Sequence, residues 1–109
     1  GRYSCADGTY TASGTLSATG NRAAEGSSTT IIDTPSIEGY GYRALAGATI
    51  DSGSLSTMTV ELYGYEAGDG TTIICRRAIR GFPLSSKSAG CTIKCKGNGC
   101  DGATVYYYQ

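Results

Sequence analysis

The sequence predicts an all-β fold, an antiparallel β-sandwich held by disulfides, as one domain over residues 1–109, and three observations predict it. First, there are 17 glycines and only one Phe. Glycine costs a helix interior about 1 kcal/mol relative to alanine, so long helices are disfavoured. Second, short runs of β-branched and aromatic residues alternate with Gly, Asp, Asn and Ser, the pattern of strands bounded by turns. Third, there are five cysteines, Cys5, Cys75, Cys91, Cys95 and Cys100, whose spacing is not the doubled C-x2-C of a structural zinc site. A disulfide framework in an oxidising compartment is the reading that fits them.

Along the chain, residues 1–28 are small, polar and punctuated by Gly14, Gly20 and Gly26, with residues 15–18 and 21–25 as the only candidates for a helical turn. Residues 30–32 read as a short strand, and 37–45 as a strand carrying Tyr40 and Tyr42 on one face. The clearest alternation is residues 57–62, where Met58, Val60 and Leu62 point one way and Thr57, Thr59 and Glu61 the other. Asp69-Gly70 tolerates positive φ, so residues 66–70 read as a hairpin turn with 71–75 as its returning strand. A second hairpin is expected from residues 91–95 and 103–108 around a turn at 96–102. No fixed-period repeat is expected.

The five cysteines allow two bridges and one leftover thiol. Cys95 and Cys100 flank the turn sequence Lys96-Gly97-Asn98-Gly99, which brings them close, and Cys5 is expected to reach Cys75 or Cys91. An odd cysteine in a secreted protein points to a disulfide-linked partner chain.

Composition also excludes function classes. The chain has no histidine, which removes Ser-His-Asp and Cys-His nucleophilic systems and histidine zinc sites. Lys+Arg and Asp+Glu are both 9, so no overall field favours nucleic acid or a membrane surface, and no apolar run is long enough for a membrane span. No catalytic residue, cofactor or metal ligand is assigned. Glu61 and Glu66 are carboxylates of the type that glycoside hydrolysis needs in pairs, but they fall where solvated strand and turn residues fall.

Charge is uneven, with Arg76, Arg77, Arg80, Lys87, Lys94 and Lys96 in residues 70–100 and no acid among them. Arg76, Arg77, Arg80 and Phe82 are the candidate interface, because arginines beside an aromatic anchor protein contacts. Tyrosines 40, 42, 63, 65, 106, 107 and 108 fall on predicted strands, where packing within the sheet is expected. An exposed row would instead mark a protein-binding or sugar-binding face.

From Thr57 onwards, the strands at 58–65 and 71–79, the loop, Thr92-Ile93-Lys94-Cys95 and the tyrosine-rich terminal strand resemble the secreted fungal β-sandwich effectors related to the host-selective toxin ToxA. That resemblance implies a secreted, non-enzymatic virulence protein of a plant pathogen. It would bind host proteins, be recognised by a plant immune receptor, and be delivered into host cells. A second resemblance, to fungal guanyl-specific ribonucleases and ribonuclease-like effectors, is carried by Tyr3-Ser4-Cys5, Tyr10-Thr11-Ala12-Ser13 and Ile37-Glu38-Gly39-Tyr40-Gly41-Tyr42. It implies an α+β fold with Glu38 at guanine. Ile32 stands where that family places its catalytic histidine, so this alternative is a catalytically dead RNA binder. A secreted antimicrobial or killer-type toxin is the remaining alternative.

Overall fold

The computed structural model describes residues 7–24, 28–76 and 90–108. Among them there are nine strands and no helix: β1 (Gly8–Tyr10), β2 (Thr15–Thr19), β3 (Thr29–Ile32), β4 (Ser36–Tyr40), β5 (Thr49–Asp51), β6 (Met58–Tyr63), β7 (Thr72–Arg76), β8 (Cys91–Lys96) and β9 (Thr104–Tyr108). The odd strands form a five-stranded sheet in the order β1-β3-β5-β7-β9, and the even strands a four-stranded sheet in the order β2-β4-β6-β8. Every pairing is parallel. Each strand therefore pairs with the strand one full turn later, and the chain winds as a two-sheet β-solenoid. Gly8 lies opposite Thr29, Thr30 opposite Thr49, Thr49 opposite Thr72 and Thr72 opposite Thr104. The coil is thus about 20 residues in the early turns and about 30 in the last, within the range of repeat architectures.

The expected antiparallel sandwich is corrected by this topology. The all-β class holds, but the parallel pairing rules out the ToxA-like sandwich order, and the helix of a ribonuclease-like fold is absent among the described residues. Both expected hairpins dissolve. β7 follows β6 in sequence yet pairs with β5 and β9 in the other sheet, and β8 and β9 belong to different sheets. Residues 15–18, considered for a helical turn, lie in β2. Gly70 and Gly102 have the positive φ expected of turn residues, 69° and 81°, but they close corners between the sheets instead of hairpins.

The core lies between the inner faces of the two sheets. Inward columns Leu16-Ile37-Val60-Ile93 of the even sheet and Ile31-Ile50-Ile73-Val105 of the odd sheet run along the solenoid. Ile31, Ile37, Ile50, Ile73, Val60, Leu45, Met58 and Leu62 are fully buried, each contributing about 1.5–3 kcal/mol by removal from water. The alternation read in residues 57–62 is borne out, with Met58, Val60 and Leu62 inward.

What repeats most faithfully is the corner leading from an even strand to the next odd strand. Residues 41–50, Gly-Tyr-Arg-Ala-Leu-Ala-Gly-Ala-Thr-Ile, stack on residues 64–73, Gly-Tyr-Glu-Ala-Gly-Asp-Gly-Thr-Thr-Ile. Gly, Tyr, Ala, Gly, Thr and Ile recur at matching positions, a repeat whose spacing varies from coil to coil. Backbone bonds join corner to corner: the Gly20 amide donates to the Tyr40 carbonyl, Gly41 to Tyr63, Arg43 to Tyr65, Leu45 to Ala67 and Gly47 to Asp69, all at 2.8–3.0 Å. Gly41 and Gly64 start their corners at φ of 122° and 117°. A Cβ on Gly64 would sit 2.7 Å from the Gly41 carbonyl oxygen, so only glycine lets consecutive corners approach this closely.

Two disulfides pin the last coil. Cys75–Cys91 joins β7 of the odd sheet to β8 of the even sheet, and Cys95–Cys100 ties β8 to its corner, as the turn sequence predicts. Cys75 and Cys91 bond to each other, which corrects the expectation that one of them pairs with Cys5. Cys5 itself lies outside the described residues.

Three outcomes test this architecture. Gly64→Ala is expected to cost about 1–3 kcal/mol in urea unfolding, the scale of a residue forced into a sparsely populated backbone region. Gly14→Ala, with open space around its Cβ position, is expected to stay within about 0.5 kcal/mol. Replacing Cys75 and Cys91 together by serine, which opens a loop of sequence separation 16, is expected to cost about 3 kcal/mol in the same measurement.

Candidate binding face

The outer face of the even sheet gathers side chains that the sequence scatters. Parallel in-register pairing puts Ser17, Glu38, Glu61 and Lys94 in one outward column, and Thr19, Tyr40, Tyr63 and Lys96 in the next. Neighbouring members of a column stand about 4.8 Å apart along the hydrogen-bonding direction. Tyr42 and Tyr65, at matching positions in consecutive corners, extend the aromatic group past the strand ends.

The tyrosines meet as pairs across strands. The Tyr40 and Tyr63 rings lie edge to face with centroids 5.0 Å apart, and Tyr42 and Tyr65 stack at 5.8 Å with an interplanar angle of 25°. On the far side of Tyr42 the Arg22 guanidinium sits 5.2 Å from the ring centroid, and its Nη2 donates to the Tyr42 hydroxyl at 3.3 Å. Arg22, Tyr42 and Tyr65 therefore form one stacked column. The expectation of sheet packing for these tyrosines is met only in the sense of cross-strand contact. Tyr40, Tyr42 and Tyr65 retain 38%, 37% and 58% exposure, because the solenoid's core is filled by aliphatic columns and leaves aromatic rings to the outside.

Two carboxylates stand beside the rings. Glu38 accepts a hydrogen bond from the Ser17 hydroxyl at 3.1 Å, and Glu61 accepts one from the Tyr63 hydroxyl. That bond, followed by burial and the nearby charges, raises the Tyr63 phenol above its ordinary 10.0. Burial first, then the charges of Glu38 and Glu61, raises Tyr40 in the same direction. Glu61 is thus brought together with Glu38 of the adjacent strand and not with Glu66, which lies in the corner. The two are register partners on the outer face of the even sheet.

Of the candidate interface, Arg76 ends β7. Its Nε and Nη2 donate to the two oxygens of Asp51 at 2.8 and 2.9 Å, and its guanidinium lies 5.6 Å from the centroid of Tyr108. This hydrogen bond is the main cause that holds the Asp51 carboxyl below its ordinary 3.8. Tyr108 in turn stacks on Tyr106 at 6.4 Å. Arg77, Arg80 and Phe82 lie outside the described residues. A hollow of about 340 Å³ near the first coil is lined by Tyr10, Thr11, Ala12, Thr15, Leu16, Ser17 and Thr19. Among the described residues there is no cluster of three or more His, Cys, Asp or Glu that could hold a metal, and no helix long and apolar enough to cross a membrane.

The sequence shows each of the site's tyrosines and glutamates but not their grouping. The signal that could have found it is the repeated Tyr-Gly-Tyr, at 40–42 and again at 63–65, which places matching rings on successive coils. The chain matches no family model, no curated protein and no solved structure.

Alkaline and acid titrations check the electrostatics. Tyr40 and Tyr63 are expected to ionise above 10.0 when followed by phenolate absorbance, and Glu61→Gln is expected to bring Tyr63 back towards that value. Their folded values exceed the unfolded one, so stability is intact below 10.0 and falls as pH rises through the raised values. Asp51 has the opposite sign. Its contribution is present above 3.8 and is lost as pH falls through its depressed folded value. Asp51→Asn is expected to remove that acid dependence and to cost about 1 kcal/mol at neutral pH, a modest figure because Arg76 is half exposed.

Proposed function

We propose that this chain is a non-catalytic binding protein that engages a protein partner through the tyrosine-lined outer face of its even-strand sheet. The observation that carries this reading is the placement of Tyr40, Tyr42, Tyr63 and Tyr65 as two contacting pairs on the solvent side of the sheet. Tyrosine gives a large, rigid contact area at low entropic cost, and clustered tyrosines are the composition of protein-contact hot spots. Cross-strand stacking fixes the rings before any partner arrives, so little rotamer freedom remains to be lost on binding. Two disulfides support an oxidising compartment, and secretion is the localisation this reading carries. A plant-pathogen role is implied by the sandwich resemblance alone, which the parallel topology overturns, whereas binding of a partner is supported by the tyrosine face itself.

A random peptide library displayed on phage and panned against the folded chain tests the reading. Peptides are expected to be enriched on the wild-type chain and lost on the Tyr42→Ser/Tyr65→Ser variant, whose urea midpoint should stay close to wild type because both rings are exposed. Enrichment indifferent to these substitutions, or no enrichment, removes the face as the contact surface.

A further inference from the structure

Resting on that reading, we infer that the partner presents a basic, arginine-bearing segment, whose guanidinium groups stack on the open ring of Tyr65 and pair with Glu38 and Glu61. Three observations converge on this occupant.

The first is an intrachain precedent. Arg22 already caps the Tyr42 end of the stacked column, 5.2 Å from the ring centroid. At the other end Tyr65 is, among the described residues, the most exposed of the large hydrophobic side chains, at 58%. On the following coil Lys96 is in register with Tyr63, and the corner that follows, Gly97-Asn98-Gly99, brings no aromatic ring to continue the stack. The column therefore ends on an aromatic face of the kind that attracts a planar cation.

The second is charge. Glu38 and Glu61 are direct register partners on adjacent parallel strands, an arrangement in which like charges oppose the pairing. Their hydroxyl donors, Ser17 to Glu38 and Tyr40 and Tyr63 to Glu61, carry no charge. An incoming guanidinium relieves that repulsion and matches the fork geometry of a carboxylate. Lysines stand on the far side of Glu61, at Lys94 and Lys96 of β8, so a basic segment is favoured along β4 and β6 and disfavoured beyond them.

The third is that Arg43, the other arginine of these corners among the described residues, is already engaged. Arg43 donates to Asp69 at 2.6 Å, so it is held at the corner by its own carboxylate.

The test is fluorescence anisotropy with a labelled Gly-Ser-Arg repeat peptide and its citrulline counterpart, which keeps the planar shape and loses the charge. The arginine peptide is expected to bind about tenfold more tightly than the citrulline peptide. Tyr65→Ala is expected to weaken it about fivefold while Tyr65→Phe stays within about twofold, because the ring face and not the hydroxyl carries the contact. Glu38→Gln/Glu61→Gln is expected to weaken it by a similar factor and to flatten its salt dependence. Equal binding of the arginine and citrulline peptides, still lost in Tyr65→Ala, overturns the basic partner and leaves the tyrosine face standing. Binding of the arginine peptide that ignores both the Tyr65 and glutamate variants overturns the placement. Failure of both peptides to bind, alongside tyrosine-dependent enrichment of neutral or acidic peptides from the library, also overturns the basic partner.

Discussion

Backbone hydrogen bonds between successive corners hold this molecule in register, and the rest of the structure depends on that ladder. A strand of three to six residues is too short to fix its own pairing, and a one-residue slip would turn every inward side chain outward. The corners remove that freedom. Gly41 and Gly64 allow consecutive turns to lie in direct contact, and the amides of residues 41, 43, 45 and 47 all find carbonyls one coil on. Once the corners are locked, the strands leaving them have no choice of register.

From that lock follow two kinds of column. Inward columns of Ile, Leu and Val make an aliphatic seam between the sheets, while outward columns juxtapose residues that are about 20 to 30 positions apart in the chain. The candidate binding face is a product of the outward columns. Tyr40 meets Tyr63 and Glu38 meets Glu61 because the coil returns them to the same place, without any side chain having been placed by a loop. A site built on strands in this way is rigid, and its chemistry is multiplied from coil to coil.

The stabilising interactions are distributed unevenly along the solenoid. In the middle coils, hydrophobic burial is complete, as at Ile50, Val60, Leu62 and Ile73. On the last coil the inward residues Ile93 and Val105 are only partly buried, and it is there that Cys75–Cys91 and Cys95–Cys100 are found. Covalent links supply at the end of the stack what burial supplies in its centre, in keeping with the role of disulfides where a small core runs out.

The sequence by itself determined the all-β class, the inward alternation of Met58, Val60 and Leu62, the positive-φ glycines of the turns, and the closeness of Cys95 to Cys100. All are local properties, set by side-chain alternation, glycine's lack of a Cβ, or a short chain separation. It also carried the repeat at residues 41–50 and 64–73, legible in the recurring Gly, Tyr, Ala and Thr-Ile, although its unequal spacing hides it from a search at fixed period. Only the tertiary structure decided that the strands pair in parallel, that Cys75 bonds Cys91, and that Tyr40, Tyr42, Tyr63 and Tyr65 share an outer face. The physical reason is that period-two alternation is the same for a strand whose partner is its neighbour in sequence and for one whose partner lies a full coil away. Which of these pairs forms is settled by how the corners stack, and that is a contact between distant residues.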